Sequence, residues 1–143
     1  MPSLSDFMKK SKEKPKLLRP SCDIKTLLDG RGGIFTWVPE DDIKEFNILY
    51  FNTGIIRGNH YHPEFVEYFL VVEGTGAMVY KEEKGTPDNV IHMSRGTCVR
   101  TPAGVAHAFQ AITPVTAIAL LTKPWDDCKR PIVRIDVIKK NKA

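Results

Sequence analysis

The chain has 143 residues, 42% of them hydrophobic and 27% charged, the balance of one globular domain, which at this length buries roughly 68% of the unfolded chain's surface. No apolar run approaches the roughly 18 residues of a membrane span, and the opening Met1-Pro-Ser-Leu-Ser-Asp-Phe lacks the basic flank and apolar stretch of a secretory signal, so a cytoplasmic protein that contacts no membrane is expected. The net charge of +4 is uneven: residues 1–20 carry six Lys/Arg against two acids, residues 129–143 six against one, and the stretch between them nine against fourteen. Basic ends without aromatic interleaving read as solvated extensions and not as a nucleic-acid surface.

In chain order, residues 1–20 form a basic N-terminal arm, in which the Lys-rich Lys9-Lys-Ser-Lys-Glu-Lys-Pro-Lys, ending at a proline, reads as a mobile arm or a short frayed helix that begins near Ser3 or Ser5. From Gly33 onward short β-branched and aromatic runs alternate with turn residues, and no long stretch has helical apolar spacing. Strands are expected at 34–38, 46–51, 57–62, 66–73, 77–81, 90–93, 97–101, 106–112, 116–122 and 132–138. Turns fall at Asn52-Thr-Gly54, Glu73-Gly-Thr-Gly76, Gly85-Thr-Pro-Asp-Asn89, Ser94-Arg-Gly96 and Pro102-Ala-Gly104. Strands this short and numerous make the chain all-β and favour a sandwich or closed barrel, because closure removes exposed edges. The domain runs over 21–138, with a basic tail at 139–143. Cys22, Cys98 and Cys128 lie far apart without a CxxC spacing, which suits reduced packing cysteines.

His60 and His62 leave the same face of a strand, and paired imidazoles are a start to a divalent metal site. Glu67 follows His62 by five positions and would point to the opposite face of a straight strand. Pro63 removes a ladder donor there, so a turn at 63–65 can open a new strand on which Glu67, Phe69, Val71 and Glu73 share a face. His107 opens another strand just after the Pro102-Ala-Gly104 turn. Three imidazoles and one carboxylate suit one divalent transition metal ion (Zn, Fe, Mn, Ni or Cu) and leave positions for water or substrate.

The stretch Gly54-Ile-Ile-Arg-Gly-Asn-His60-Tyr-His62-Pro-Glu-Phe-Val-Glu67-Tyr-Phe-Leu-Val-Val-Glu-Gly74 resembles the first motif of the cupins, G-x5-H-x-H-x4-E-x6-G, at every defined place. Gly96-Thr-Cys-Val-Arg-Thr-Pro102-Ala-Gly104-Val-Ala-His107 resembles the second, G-x5-P-x-G-x2-H, and departs from the usual closing asparagine only at Ala111. The resemblance covers residues 54–111. It implies a single jelly-roll (double-stranded β-helix) barrel with His60, His62, Glu67 and His107 as metal ligands, and pairing into a homodimer.

Within the cupins, Asp29-Gly-Arg-Gly-Gly-Ile-Phe35, the strand ending at Tyr50, Arg57-Gly-Asn-His60, and the closing Leu121-Thr-Lys-Pro-Trp125 with Ile132-Val-Arg-Ile-Asp136 are similar to the sugar-nucleotide group. That group comprises thymidine-diphosphate-sugar ketoisomerases, epimerases of the RmlC kind, and the cupin domain of capsular polysaccharide assembly reductases. The resemblance implies an isomerase or epimerase acting on a nucleotide-linked keto-sugar, with His60, His62, Tyr50 and Arg57 at the reacting end. Those ketoisomerases are described as working without metal, whereas this chain has the full ligand set. If the histidines are ligands, the base must be Tyr50, Glu73 or another pocket group. Parity points Arg57 outward unless Gly58 makes a bulge, and Tyr50 continues the row Phe46, Ile48, where it would serve equally as a packing residue. Arg100 and Gln110 flank the second motif as weaker candidates, His92 stands alone, and Trp37, Trp125, Phe69 and Phe109 read as core or pocket wall. A metal-dependent cupin dioxygenase and a non-catalytic small-molecule-binding cupin are the competing expectations.

Overall fold

The computed structural model describes residues 13–18, 30–81 and 88–139. Ten strands appear in chain order: β1 (Lys16–Leu18), β2 (Glu45–Phe51), β3 (Ile56–Tyr61), β4 (Glu67–Glu73), β5 (Gly76–Tyr80), β6 (Asn89–Met93), β7 (Cys98–Thr101), β8 (His107–Ala111), β9 (Val115–Leu121) and β10 (Val133–Arg134). They form two five-stranded sheets, ordered β1-β7-β4-β9-β2 and β10-β3-β8-β5-β6, with every pairing antiparallel. This is the all-β jelly-roll barrel that the sequence implies. A single 3-10 turn at Trp125–Asp127 is the only helical element among the described residues, and no helix there is long and apolar enough to cross a membrane.

Period-two patterning builds the interior. In β9 the residues Val115, Ala117, Ala119 and Leu121 are buried while their neighbours are not, and β5 alternates in the same way. The resulting core joins Phe51, Phe69, Val71, Met78, Tyr80, Met93, Val99 and Phe109. Phe51 and Phe69 each meet Phe109, with ring centroids 5.1 and 5.0 Å apart, in the tilted geometries that aromatic quadrupoles favour. Gly74 has φ 91°, and a Cβ there would lie 2.1 Å from the Pro114 carbonyl oxygen, so the β4–β5 turn admits only glycine.

Two expected strands fail. Among the described residues, 34–38 are assigned to no strand, and Phe35 stacks on Trp37, which donates through Nε1 to the Leu18 carbonyl. Aromatic and β-branched composition marked that segment as apolar, and Phe35, Thr36 and Trp37 share a pocket with Tyr68 and Leu70 on the outer face of the sheet instead of adding a strand to it. The strand expected over 132–138 shortens to β10, because its end is hydrogen-bonded to the Asn59 side chain in place of a ladder. Within the expected arm, residues 16–18 form β1 and pair with β7. The remainder of the arm at 1–12 and 19–20, Cys22, the Gly85–Pro87 part of the turn and the tail at 140–143 lie outside the described residues.

Candidate functional site

The histidines are set by an irregularity in β3. Its register against β8 shifts between Gly58 and His60, with Gly58 at φ 101° and Asn59 at φ 57°. A Cβ on Gly58 would sit 2.8 Å from the His107 carbonyl oxygen, so close approach and left-handed backbone both require glycine. The extra residue places His60 opposite His107. His62 follows the strand, and residues 62–66 leave the ladder. This is the bend at Pro63 that parity demanded, secured by Val66 N–H donating to Thr122 Oγ1 at 2.9 Å and by Phe65 packed on the His62 ring at 4.3 Å. Glu67 then opens β4 beside Leu121 and Thr101.

The four side chains converge. Ring centroids lie 4.6 Å (His60–His62), 5.1 Å (His60–His107) and 5.2 Å (His62–His107) apart, and one nitrogen of each ring lies within 4.8 Å of the others. Glu67 is adjacent, Oε2 at 3.5 Å from His62 Nε2 and Oε1 at 3.7 Å from His107 Nε2. Two of the imidazoles are oriented from behind: His62 Nδ1 faces the Pro131 carbonyl at 3.1 Å and His107 Nδ1 the Val105 carbonyl at 2.9 Å. A carbonyl only accepts, so each Nδ1 carries the proton and each Nε2 turns a lone pair inward.

Burial, reinforced by the neighbouring His107 and His62, pushes His60 down to about 4, and burial lowers His107 as well, so both offer free lone pairs at neutral pH. Burial alone would raise Glu67; the adjacent His62, with His107 and His60, outweighs it and holds the carboxyl below its ordinary value. His62 Nε2 is the one buried side-chain nitrogen or oxygen among the described residues without a hydrogen-bond partner. Such an atom is costly unless something occupies the point it faces. Lone pairs from imidazoles beside a carboxylate form a donor set that fits a divalent transition metal.

A cavity of 560 Å³ opens onto this cluster. Arg57 lines it, turned in by the Gly58 bulge, with its guanidinium 5.6 Å above the Phe51 ring. Trp125, Phe69 and Phe109 are walls, as their composition suggested. The structure does not bring Tyr50 or Glu73 to the cavity. On β2 the cavity-facing residues are Asn47, Leu49 and Phe51, so Tyr50 points out with 71% of its surface exposed. A register shift between Val71 and Glu73 takes Glu73 out of the inward row of β4 and leaves it exposed. Gln110 and His92 are exposed, and Arg100 is spent on the outer face, bonded to Asp41 and Glu13. Sequence reasoning missed Asn47 and Arg134. Arg134 lines the cavity and pairs across β10–β3 with His60; the signal was the i, i+2 relation to Ile132, which also lines it.

A family described as "Polysaccharide biosynthesis C-terminal domain" matches residues 27–127. The chain belongs to that family. Its solved structural neighbours share the RmlC-like cupin fold. A 3,4-ketoisomerase from Helicobacter canadensis superposes with a TM-score of 0.70 at 16% identity, over 84% of this chain and 90% of that one. QdtA, a sugar 3,4-ketoisomerase from Thermoanaerobacterium thermosaccharolyticum solved in complex with TDP, gives 0.69 at 14%, over 86% and 89%. The capsular polysaccharide assembling protein CapF from Staphylococcus aureus gives 0.60 at 22%, over 85% of this chain but 35% of CapF. At these identities the likeness establishes the fold. No curated protein sequence matches the chain.

Proposed function

We propose that the chain is a metal-binding isomerase or epimerase of a nucleotide-linked keto-sugar in polysaccharide precursor biosynthesis, with the metal on His60, His62, Glu67 and His107. The observation that carries the metal half is the buried, unpartnered Nε2 of His62, aimed at a point shared with two other imidazoles and a carboxylate. What supports the substrate half is the family, the TDP held by QdtA in the same fold, and two arginines on one cavity. Arg57 and Arg134 supply fixed cations for a diphosphate, and Trp125 offers a flat wall beside the His62 ring. A bound divalent ion would supply Lewis acidity toward the sugar carbonyl, which makes the adjacent C–H more acidic. Arg57 and Arg134 orient the substrate, and the phenylalanines of the wall limit water around the reacting carbon. The same proposal takes the chain to be a cytoplasmic homodimer, whose pairing face is the outer row Phe46, Ile48 and Tyr50, exposed by 71%, 56% and 71%.

One observation favours a second reading. With Tyr50 and Glu73 outside the cavity, the four proposed ligands and two arginines are the titratable groups that line it among the described residues. A metal-free enzyme would then use His60, neutral at pH 7 and the least buried of the three, as the base for the α-proton.

Metal analysis by plasma mass spectrometry separates the two. About one transition metal per chain, absent from His62→Ala, is expected; wild-type protein that carries none, yet is stabilised thermally by TDP-sugars, overturns the metal and leaves the His60 base. A protein stabilised by no nucleotide sugar overturns the substrate assignment.

A further inference from the structure

The chain beyond β9 returns to the histidine-bearing strand and is fastened to it on both sides of Pro131. On one side Glu64 accepts from Lys123 Nζ at 3.0 Å and from the Arg130 backbone N–H at 2.6 Å. On the other, Asn59 Oδ1 accepts from the N–H groups of Val137 (3.0 Å) and Ile138 (2.9 Å), and Nδ2 donates to the Ile138 carbonyl (3.1 Å). The Asn59 carbonyl also accepts from Ile135 N–H at 2.9 Å. Between the two fastenings lie the Pro131 carbonyl, which orients His62, and β10, which pairs with His60 and Tyr61. The three side-chain bonds span about 79 positions of sequence and require Asn59 to hold the left-handed backbone of the bulge, a conformation asparagine tolerates better than most residues.

We propose that Asn59 is a positioning residue for the site: its clamp on residues 137–138 holds the Pro131 carbonyl against His62 Nδ1, and so fixes both the tautomer and the aim of the His62 ring. The metal consequence rests on the ligand set proposed above; the tautomer consequence does not. Asn59 belongs neither to the cavity lining nor to the histidine cluster, and its effect passes through a backbone carbonyl 72 positions away, a dependence that the His-x-His motif by itself does not contain. The outer partner of a ligating imidazole governs its affinity for metal by roughly 10–100-fold.

The test uses the full metal-free chain and two variants. Asn59→Gly keeps the left-handed backbone and removes all three side-chain bonds; Asn59→Asp keeps the two acceptor bonds. Long-range proton–nitrogen correlation of the imidazoles is expected to show His62 as a single Nδ1–H tautomer in wild type and Asn59→Asp, and as a mixture in Asn59→Gly. Zinc competition against a chelator should show Asn59→Gly weakened by roughly 10–100-fold, with Asn59→Asp within about threefold of wild type. Should Asn59→Gly fail to fold, Val137→Pro removes one of the two donors without altering the bulge and is expected to shift the tautomer in the same direction. A His62 tautomer unchanged in the folded variant overturns the proposal. If wild type binds no zinc, the ligand assignment fails while the tautomer comparison still decides the role of Asn59.

Discussion

Among the described residues, a polar cluster on the outer face and one inside the barrel are built on opposite rules. On the outer face of the β4–β7 sheet, Arg100 donates through Nε to Asp41 at 2.8 Å and through Nη1 to Glu13 at 2.6 Å, and Tyr68 donates its hydroxyl to the same Asp41. Every charge there has a partner of opposite sign, and the guanidinium beside Asp41 holds its carboxyl below the ordinary range. Inside the barrel, imidazoles crowd one another, two of them are oriented from behind, and one buried nitrogen has no hydrogen-bond partner. A cluster that satisfies itself stabilises the fold; one whose lone pairs converge on a shared point is arranged for something that arrives later. The comparison makes separable predictions for the two clusters.

The largest effect on stability is expected from the satisfied cluster. Arg100→Leu leaves Asp41 and Glu13 without their charged partner and should cost about 2–3 kcal/mol in urea unfolding, with an unchanged dependence on denaturant. Metal content should stay at the wild-type level, because Arg100 lies on the far side of the sheet from the histidines. Loss of metal in a folded Arg100→Leu protein would join the two clusters and break the contrast.

How much of this was legible in the sequence follows from the same division. The His60, His62, Glu67 and His107 convergence could be read because spacing, a proline at the bend and turn residues before β8 fix parity. Arg57 could be placed only conditionally, since its direction depends on whether Gly58 bulges, and the bulge turned it into the cavity. Glu73 was misread for the mirror reason: an unforeseen register shift after Val71 ended the inward row. Tyr50 illustrates a different limit, because alternation gives two faces and does not say which is inside; the row Asn47, Leu49 and Phe51 faces the cavity. The Arg100 cluster depends on contacts with residues 59 and 87 positions away, which no local pattern announces.

Acid distinguishes the clusters next. In the metal-free protein the folded His60 titrates at about 4 against an ordinary 6.5, so between these values the unfolded chain binds a proton that the folded one does not, and stability falls as pH drops through that window. Asp41 is also depressed, from 3.8; its contribution is complete above pH 4 and is lost only as pH falls through its lower folded value. An acid limb in chemical denaturation that begins near pH 6.5 is therefore expected, and His60→Asn should shrink that upper part, leaving the share of His107, which is lowered from the same 6.5, and the steeper loss below pH 4. A limb identical in both proteins would assign the upper window to another group.

The smallest effect concerns the face that the comparison leaves over. Tyr50 lies opposite Thr116 on the outside of β2, in the exposed row with Phe46 and Ile48. Removing its hydroxyl should change neither metal content nor stability by more than about 0.5 kcal/mol. Turnover of a nucleotide-linked keto-sugar, once found, should likewise survive Tyr50→Phe, because a phenol on this face is separated from the cavity by the strand that carries it. A large drop in turnover at unchanged affinity would show that the hydroxyl reaches a reacting group. Within one barrel it cannot do so, so that result would require Tyr50 to act in the cavity of a second copy, and light scattering on the wild type and on Ile48→Asp would then show whether the outer row of β2 is where two copies meet.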